Sequence, residues 1–486
     1  MRREKLYSLI ISRLDGEGIS EPSYRKRILE LVKKGIGGFI VFGGACKPFG
    51  GETSLRSFLI DIQALSQAPL FIASDIERGV GQQVRGYTGM PCQMAQAAAL
   101  GDDMKTLTNL VTAISKETLD AGINMPLIPV LDVNTNPDNP IISTRAFSDN
   151  PEVVSRMGNI YVKTLQSHGL ISCPKHFPGH GDTAIDSHIA LPVITKSKKE
   201  LMKTDIAPFK AAISAGADSI MAGHLLIPSL DKLPASLSRK TLTGLLRKGL
   251  GFEGLILTDA LNMDALREFG DASTLALKAG ADILLHPKDP DETVKELSSA
   301  LDEGELNETH ITSALQRISR AKRGLNRHKG VRLDITKFGA HERLSTRVTE
   351  MSITLVKESP GLLPLKGMNI VFAGDEKLYK DSPLKEMSES IDSGAETTVV
   401  AIFTAVSAWR GTSGISAEDK ERIKRLIKKS VTFIVISFGS PYVLGRFMEA
   451  DALISAYEAT ERAQRAVIKC LRGVIPFRGR LPVKIT

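Results

Sequence analysis

Between residues 39 and 285, short apolar runs alternate with longer amphipathic stretches, and most of the runs end on a polar, reactive side chain. This alternation is the rhythm of β-strand and α-helix in a parallel sheet. Seven strands are expected, over residues 39–42, 70–74, 125–131, 170–173, 219–222, 255–257 and 283–285. Helical patterns lie between them, among them residues 103–120, 151–168 and 200–215. Gly169, Gly216 and Gly280 mark approaches to the next strand. Such an uninterrupted series predicts a TIM-type (β/α) barrel over residues 1–325 rather than an open doubly wound sheet.

After Ile318 the character changes. The stretch from Arg320 to Arg332 is basic and broken by glycine, so a linker is expected over residues 326–345. A smaller α/β sandwich is expected over residues 346–486, with strands at 369–373, 398–403, 433–437 and 452–455 and a helix at 419–429. The fold class is therefore α/β, a barrel followed by a sandwich.

Composition removes several classes of function. A chain with 42% hydrophobic and 24% charged residues is not disordered. No apolar run approaches the roughly 20 residues of a membrane span, and the N-terminal stretch, broken by Ser8 and Ser12, does not read as a signal peptide; the expected setting is cytoplasmic. Cys46, Cys92, Cys173 and Cys470 form no C-x-x-C pair and read as free thiols. The net charge of +8 comes from scattered cations, with clusters at Lys196–Lys199 and Lys424–Lys429. With only seven Tyr and one Trp for base stacking, a solvated basic surface fits better than nucleic-acid binding.

Reactive groups of a barrel stand at the carboxyl ends of its strands. Here those ends carry Asp75 and Glu77, Asp132 with Arg145 in the loop beyond, Lys175 and His176, His224, Asp259, and His286. The densest signal is Lys175-His176-Phe177-Pro178-Gly179-His180-Gly181-Asp182-Thr183, followed by Asp186-Ser187-His188. Its glycines and prolines make it a loop. Three readings compete for it. A metal site is disfavoured by the lysine beside a would-be ligand. In the second reading Asp186 fixes the tautomer of His188 and raises its basicity. In the third, the side chains only hold the loop, which is plausible for one histidine but weak for the whole string. At Leu255-Ile-Leu-Thr-Asp259 an apolar strand delivers one carboxylate to the barrel mouth. That carboxylate could cap the next helix, or attack an anomeric carbon. The loop beside it favours the second use.

These motifs resemble glycoside hydrolase family 3. The segment Lys175–Thr183 with Asp186-Ser187-His188, and Thr258-Asp259-Ala260-Leu261-Asn262-Met263, carry the likeness. They are most similar to the β-N-acetylglucosaminidase branch, which recycles bacterial cell-wall sugars. Gly122–Val133, Asn136–Phe147, Gly439-Ser-Pro441-Tyr, Ala456-Tyr457-Glu458 and Gly479-Arg-Leu-Pro482 extend it along most of the chain. The resemblance implies a retaining exo-β-N-acetylglucosaminidase acting on a small oligosaccharide or muropeptide-type substrate. Asp259 would be the nucleophile, His188 the general acid/base and Asp186 its partner. Asp75, Arg145, Lys175 and His176 would hold sugar hydroxyls, and no metal or cofactor is implied.

One stretch departs from the family pattern. Ile76-Glu77-Arg78-Gly79-Val80-Gly81-Gln82-Gln83 places Gln83 where a second sugar-binding arginine is expected. Glu458 could be a proton donor supplied by the second domain, although a surface glutamate is the simpler expectation. Trp409, beside Arg410, could stack on a sugar or be partly buried. The same motifs also admit a phosphorylase or a β-glucosidase or β-xylosidase, and, outside enzymes, a sugar-binding protein, for which retention of Asp259 with the Asp186–His188 pair would be unnecessary.

Overall fold

The computed structural model describes residues 4–43, 54–325, 336–365, 368–388, 397–406, 411–428 and 430–485. Twelve strands are found among them. Those of the first region are β1 (Ile10–Asp15), β2 (Gly38–Phe42), β3 (Phe71–Ser74), β4 (Met125–Pro126), β5 (Ser219–Ala222), β6 (Leu255–Thr258) and β7 (Leu284–Leu285). One parallel sheet runs β4-β3-β2-β1-β7, and β5 pairs with β6. The segment 170–177 joins the two sheets. On one side, Ile171, Cys173 and Lys175 donate backbone N–H groups to Asn124, Ile128 and Pro129. On the other, Met221 donates to Pro174 and Phe177 to Met221. Thr258 donates to Ile283, and Leu284 to Leu9, which closes the ring. The barrel thus has eight rungs, seven strands and one extended segment.

The rung absent from the expected set is β1. Its Ser12 and Arg13 interrupt an apolar run, yet Ser12 is buried and Ile10, Ile11 and Leu14 face the core. The expected strand at 125–131 pairs as a strand only over Met125–Pro126, because Pro126 and Pro129 have no N–H to give a ladder. The stretch 200–215 divides into helices Lys198–Lys203 and Ala207–Ser214. Pro208 opens the second of these, where a missing N–H costs nothing. The first has a full capping box between Ser197 and Glu200. The helices Met104–Asp120 and Pro151–Ser167 match expectation and start on caps supplied by Asp103 and Asn150. No helix of the described residues is long and apolar enough to cross a membrane.

Residues 326–335 of the expected linker, Cys46, and Trp409 with Arg410 lie outside the described residues. Thr336–Ser352 is helical. It packs on the barrel helix Gln93–Leu100 and on helix Glu461–Leu471 of the second region. Val348 joins the barrel core, while Ile353, just past its end, joins the core beyond.

The second region is a five-stranded sheet in the order β8-β12-β11-β10-β9. Its strands are β8 (Thr354–Glu358), β9 (Asn369–Gly374), β10 (Thr397–Phe403), β11 (Thr432–Phe438) and β12 (Ala452–Ser455). All pairs are parallel except β12 with β8, an edge strand the sequence pattern did not single out. The helix expected at 419–429 is found at Ala417–Ile427. Separate apolar clusters fill the two faces of the sheet. A third cluster spans the two regions, with Cys92, Met94 and Ala98 against Tyr442, Tyr457 and Val483.

Close approach of strands leaves no room at Gly38. A Cβ there would sit 2.1 Å from the carbonyl oxygen of Phe71. Gly38→Ala should therefore destabilise the protein by about 1–3 kcal/mol through forced backbone shifts, read as a lower urea midpoint.

Candidate active site

A cavity of about 760 Å³ opens at the carboxyl ends of the barrel strands. Asp75, Arg145, Lys175, His176, His188 and Asp259 all line it. Asp186, the expected partner of His188, lies directly behind it. Loops so far apart in the chain converge because parallel strands all end on the same face of the ring.

The floor is an ion network. The Lys175 ammonium, 2% exposed, lies 2.5 Å from Asp75 and 2.8 Å from Glu77. The Arg145 guanidinium grips Glu77 through two bonds of 2.8 Å and donates a third to the carbonyl of Ile141. Burial alone would raise the Glu77 carboxyl, yet the charges of Arg145 and Lys175 hold it well below the usual carboxylate range. Burial would likewise lower the Lys175 ammonium, and the carboxylates of Asp75 and Glu77 raise it instead.

His176 is oriented by Asp132, a fully buried carboxylate. Asp132 Oδ2 accepts from His176 Nδ1 at 2.7 Å. Its Oδ1 accepts the backbone N–H groups of His176 and His180 at 3.2 and 2.7 Å. A carboxylate only accepts, so Nδ1 of His176 carries the proton and Nε2 is left for other contacts. The same logic governs His188. Asp186 Oδ1 lies 2.9 Å from His188 Nδ1 and also accepts the His188 N–H at 2.9 Å. The Asp186 carboxylate is buried and the imidazole is 22% exposed.

Asp259 directly follows β6 and accepts the Ala260 N–H at 2.8 Å. Burial opposes its charge, but His176, His224 and His188 hold the carboxyl down to about 2. It is therefore an anion throughout the working pH range. His224 is fully buried and is pushed below its usual value by that burial. Its Nε2 bonds the Ala260 carbonyl at 3.1 Å and its Nδ1 bonds Ser236 at 2.7 Å. It braces the loop of Asp259 rather than facing the cavity.

Several residues outside the expected sugar-binding and catalytic set also meet the cavity. Arg13, Phe42 and His286 form one wall, the Arg13 guanidinium standing 5.1 Å over the Phe42 ring. Arg78 lines the cavity, whereas Gln83 does not. The Gln83 amide donates to the Asp75 carbonyl at 2.9 Å and accepts the Gly43 N–H at 3.3 Å, tying two strand-end loops together. Glu458 is 6% exposed and lines the cavity, so the expectation of a surface glutamate is corrected. Burial raises its carboxyl, while Arg78 opposes that shift. The local signal was present in Ala-Tyr-Glu after an apolar strand, but burial at Glu458 depends on Cys92, distant in sequence. Positive φ at Ser143 (39°), His286 (47°) and Tyr457 (63°) sets strained non-glycine backbone on or beside cavity-lining residues.

The fold and the cavity define a (β/α)-barrel of the enzyme type, with its acids, imidazoles and cations at the strand carboxyl ends. Residues 1–321 match the family described as glycosyl hydrolase family 3 N terminal domain. The chain belongs to that family. It is 34% identical over 373 residues to β-hexosaminidase A of Pseudoalteromonas piscicida, a match covering 69% of this chain and 62% of that protein. The chain thus spans less than two thirds of that relative's length. A family 3 β-N-acetylglucosaminidase from Paenibacillus sp. str. FPU-7 superposes over 100% of this chain and 99% of its own, with a TM-score of 0.84 and 28% identity. A β-glucoside phosphorylase, BglX, bound to 2FGlc, superposes over 100% of this chain and 94% of its own, with a TM-score of 0.87 and 26% identity.

Two measurements check the electrostatics. Lys175→Met removes one cation from a buried network and leaves two carboxylates facing one guanidinium, so a loss of about 3–5 kcal/mol in chemical denaturation is expected. The second concerns pH. Burial lowers His180 and His286 to about 4, and His224 in the same direction. The unfolded chain binds these protons near pH 6.5. Their stabilising contribution is therefore complete above about pH 6.5 and is lost as pH falls towards 4. The urea midpoint should drop between pH 7 and 5, and His180→Asn should flatten that drop.

Proposed function

We propose that this chain is a retaining, exo-acting β-N-acetylglucosaminidase. The observation that carries the reading is one cavity holding an ionised Asp259 and an imidazole, His188, oriented by a buried Asp186. Asp259 attacks C1 of the terminal sugar while protonated His188 Nε2 gives its proton to the departing oxygen. The C1–O bond breaks and a glycosyl ester forms on Asp259. Neutral His188 then takes a proton from water, the water oxygen bonds to C1, and Asp259 leaves. Asp186 keeps the Nδ1 proton in place throughout and stabilises the imidazolium. Asp75, Arg145, Lys175 and His176 position the sugar hydroxyls.

The Pseudoalteromonas β-hexosaminidase and the Paenibacillus β-N-acetylglucosaminidase support N-acetylhexosamine as the substrate class. An imidazole in place of a second carboxylate repels an anionic aglycone less, which suits cell-wall fragments carrying a carboxylate. The same feature, with the phosphorylase neighbour, favours a second reading in which phosphate replaces water in the second step. Sugar 1-phosphate formed on adding phosphate would identify it.

A fluorinated glycosyl donor that accumulates the covalent intermediate should label the peptide containing Asp259, and Asp259→Ala should lower kcat by about 10⁴-fold or more. His188→Ala should lose about 10²–10⁴-fold on a poor leaving group. It should lose far less in bond cleavage with a dinitrophenyl leaving group and be rescued by azide. A product released with inverted configuration at C1 would refute the proposal.

A further inference from the structure

We propose that Glu458, delivered by the second region, acts with Arg78 to bind the C4-side hydroxyls of the terminal sugar, closing the cavity at its non-reducing end. The inference rests on the reading of Asp259 as the group that meets C1. Around the ring the rungs run β1, β2, β3, β4, segment 170–177, β5, β6 and β7. In a ring of eight, β3 stands diametrically across from β6. C1 and C4 are likewise opposite one another in a pyranose. A sugar whose C1 meets Asp259, after β6, therefore turns its C4 edge to the loop after β3.

That loop carries Asp75, Glu77, Arg78 and Cys92, and Glu458 is packed against it. Glu458 Oε2 accepts the Cys92 N–H at 3.1 Å, and Oε1 accepts the Thr460 hydroxyl at 3.1 Å. A carboxylate offers about four acceptor positions, so two bonds leave it capacity for ligand hydroxyls. The position is built rather than incidental. Tyr457, immediately before it, is held at φ 63° with its hydroxyl 2.8 Å from Thr354. Strained backbone of this kind persists where the surroundings over-determine it. A cap for the Gln93–Leu100 helix would explain the Cys92 bond alone, and does not explain an acid on the cavity wall near Arg78. Acid and guanidinium together offer acceptors and donors, the pairing that equatorial hydroxyls require. A wall at C4 admits only chain ends and separates gluco from galacto configuration.

The test uses aryl 2-acetamido-2-deoxy-β-glycosides in the gluco, galacto and 4-deoxy forms. Wild type should lose about 10- to 100-fold in kcat/KM on the 4-deoxy substrate, the size of a charge-assisted hydrogen bond. Glu458→Ala should lose a similar factor on the gluco substrate, mostly through KM, and should barely distinguish it from the 4-deoxy form. Such non-additivity is the signature of a direct contact. Arg78→Met, at an exposed side chain, should narrow the gluco-to-galacto ratio. Glu458→Gln keeps an oxygen for the Cys92 N–H and covers the case in which the alanine variant does not fold. Variants that keep the full wild-type 4-deoxy penalty would overturn the proposal. Wild type inactive on every aryl N-acetylhexosaminide would instead overturn the parent reading. Equilibrium binding of N-acetylglucosamine and its 4-deoxy analogue to Asp259→Asn, with and without Glu458→Gln, reads the contact without turnover: equal affinities refute it.

Discussion

Four charges placed under the cavity set what the rest of the barrel mouth can be. Asp75 and Glu77 come from the loop after β3, Arg145 from the loop beyond β4, and Lys175 from the fifth rung. Each alone would cost several kcal/mol to bury, and together they compensate one another. The network therefore forms only when three consecutive rungs are in register. It also leaves polar atoms of fixed direction at the cavity floor, which is the preorganisation that recognition of hydroxyls needs.

Around that floor the histidines divide by partner rather than by type. His176 and His188 each place Nδ1 against a buried carboxylate, which fixes the tautomer and the direction of Nε2. His180 has Thr183 and Ser187 instead, and burial keeps it neutral. His224 holds the Ala260 carbonyl, next to Asp259. Four similar side chains thus take different hydrogen-bond partners, two carboxylates on one hand and hydroxyls or a carbonyl on the other. The Lys196 side chain, from one of the basic clusters, is likewise committed internally, to the buried Asp205 at 3.1 Å.

The second region meets the barrel along one continuous seam. Tyr442 bonds the Asn134 side chain at 2.9 Å, Arg480 donates its N–H to Ala98, and Ser413 donates to the Asn139 carbonyl. Asn134 and Asn139 in turn pin the Ile141–Ser143 backbone that leads to Arg145. Docking and the cavity are coupled through these asparagines. Thr404, Gly439 and Glu458, at the ends of β10, β11 and β12, complete the wall that the barrel leaves open.

Much of this was legible without coordinates. Apolar runs with polar ends revealed the parallel barrel, because strands covered on both faces must be apolar and their carboxyl ends must not be. The motif loop and Asp259 pointed to the cavity, because both follow barrel strands and parallel strands deliver their carboxyl ends to one mouth. β1 was hidden by Ser12 and Arg13, since alternation breaks where a strand borders the cavity. The edge strand β8 was hidden because its burial is partial. Gln83, by spacing, stood where an arginine was expected, and only the hydrogen bonds to Asp75 and Gly43 show it bracing the backbone. The amino-acid order alone determined which reactive side chains stand at the strand ends. The partners of Lys175, the neutral state of the buried His180 and the place of Glu458 were decided by tertiary structure, because charge and proton affinity follow from burial and from neighbours that lie up to 366 residues away.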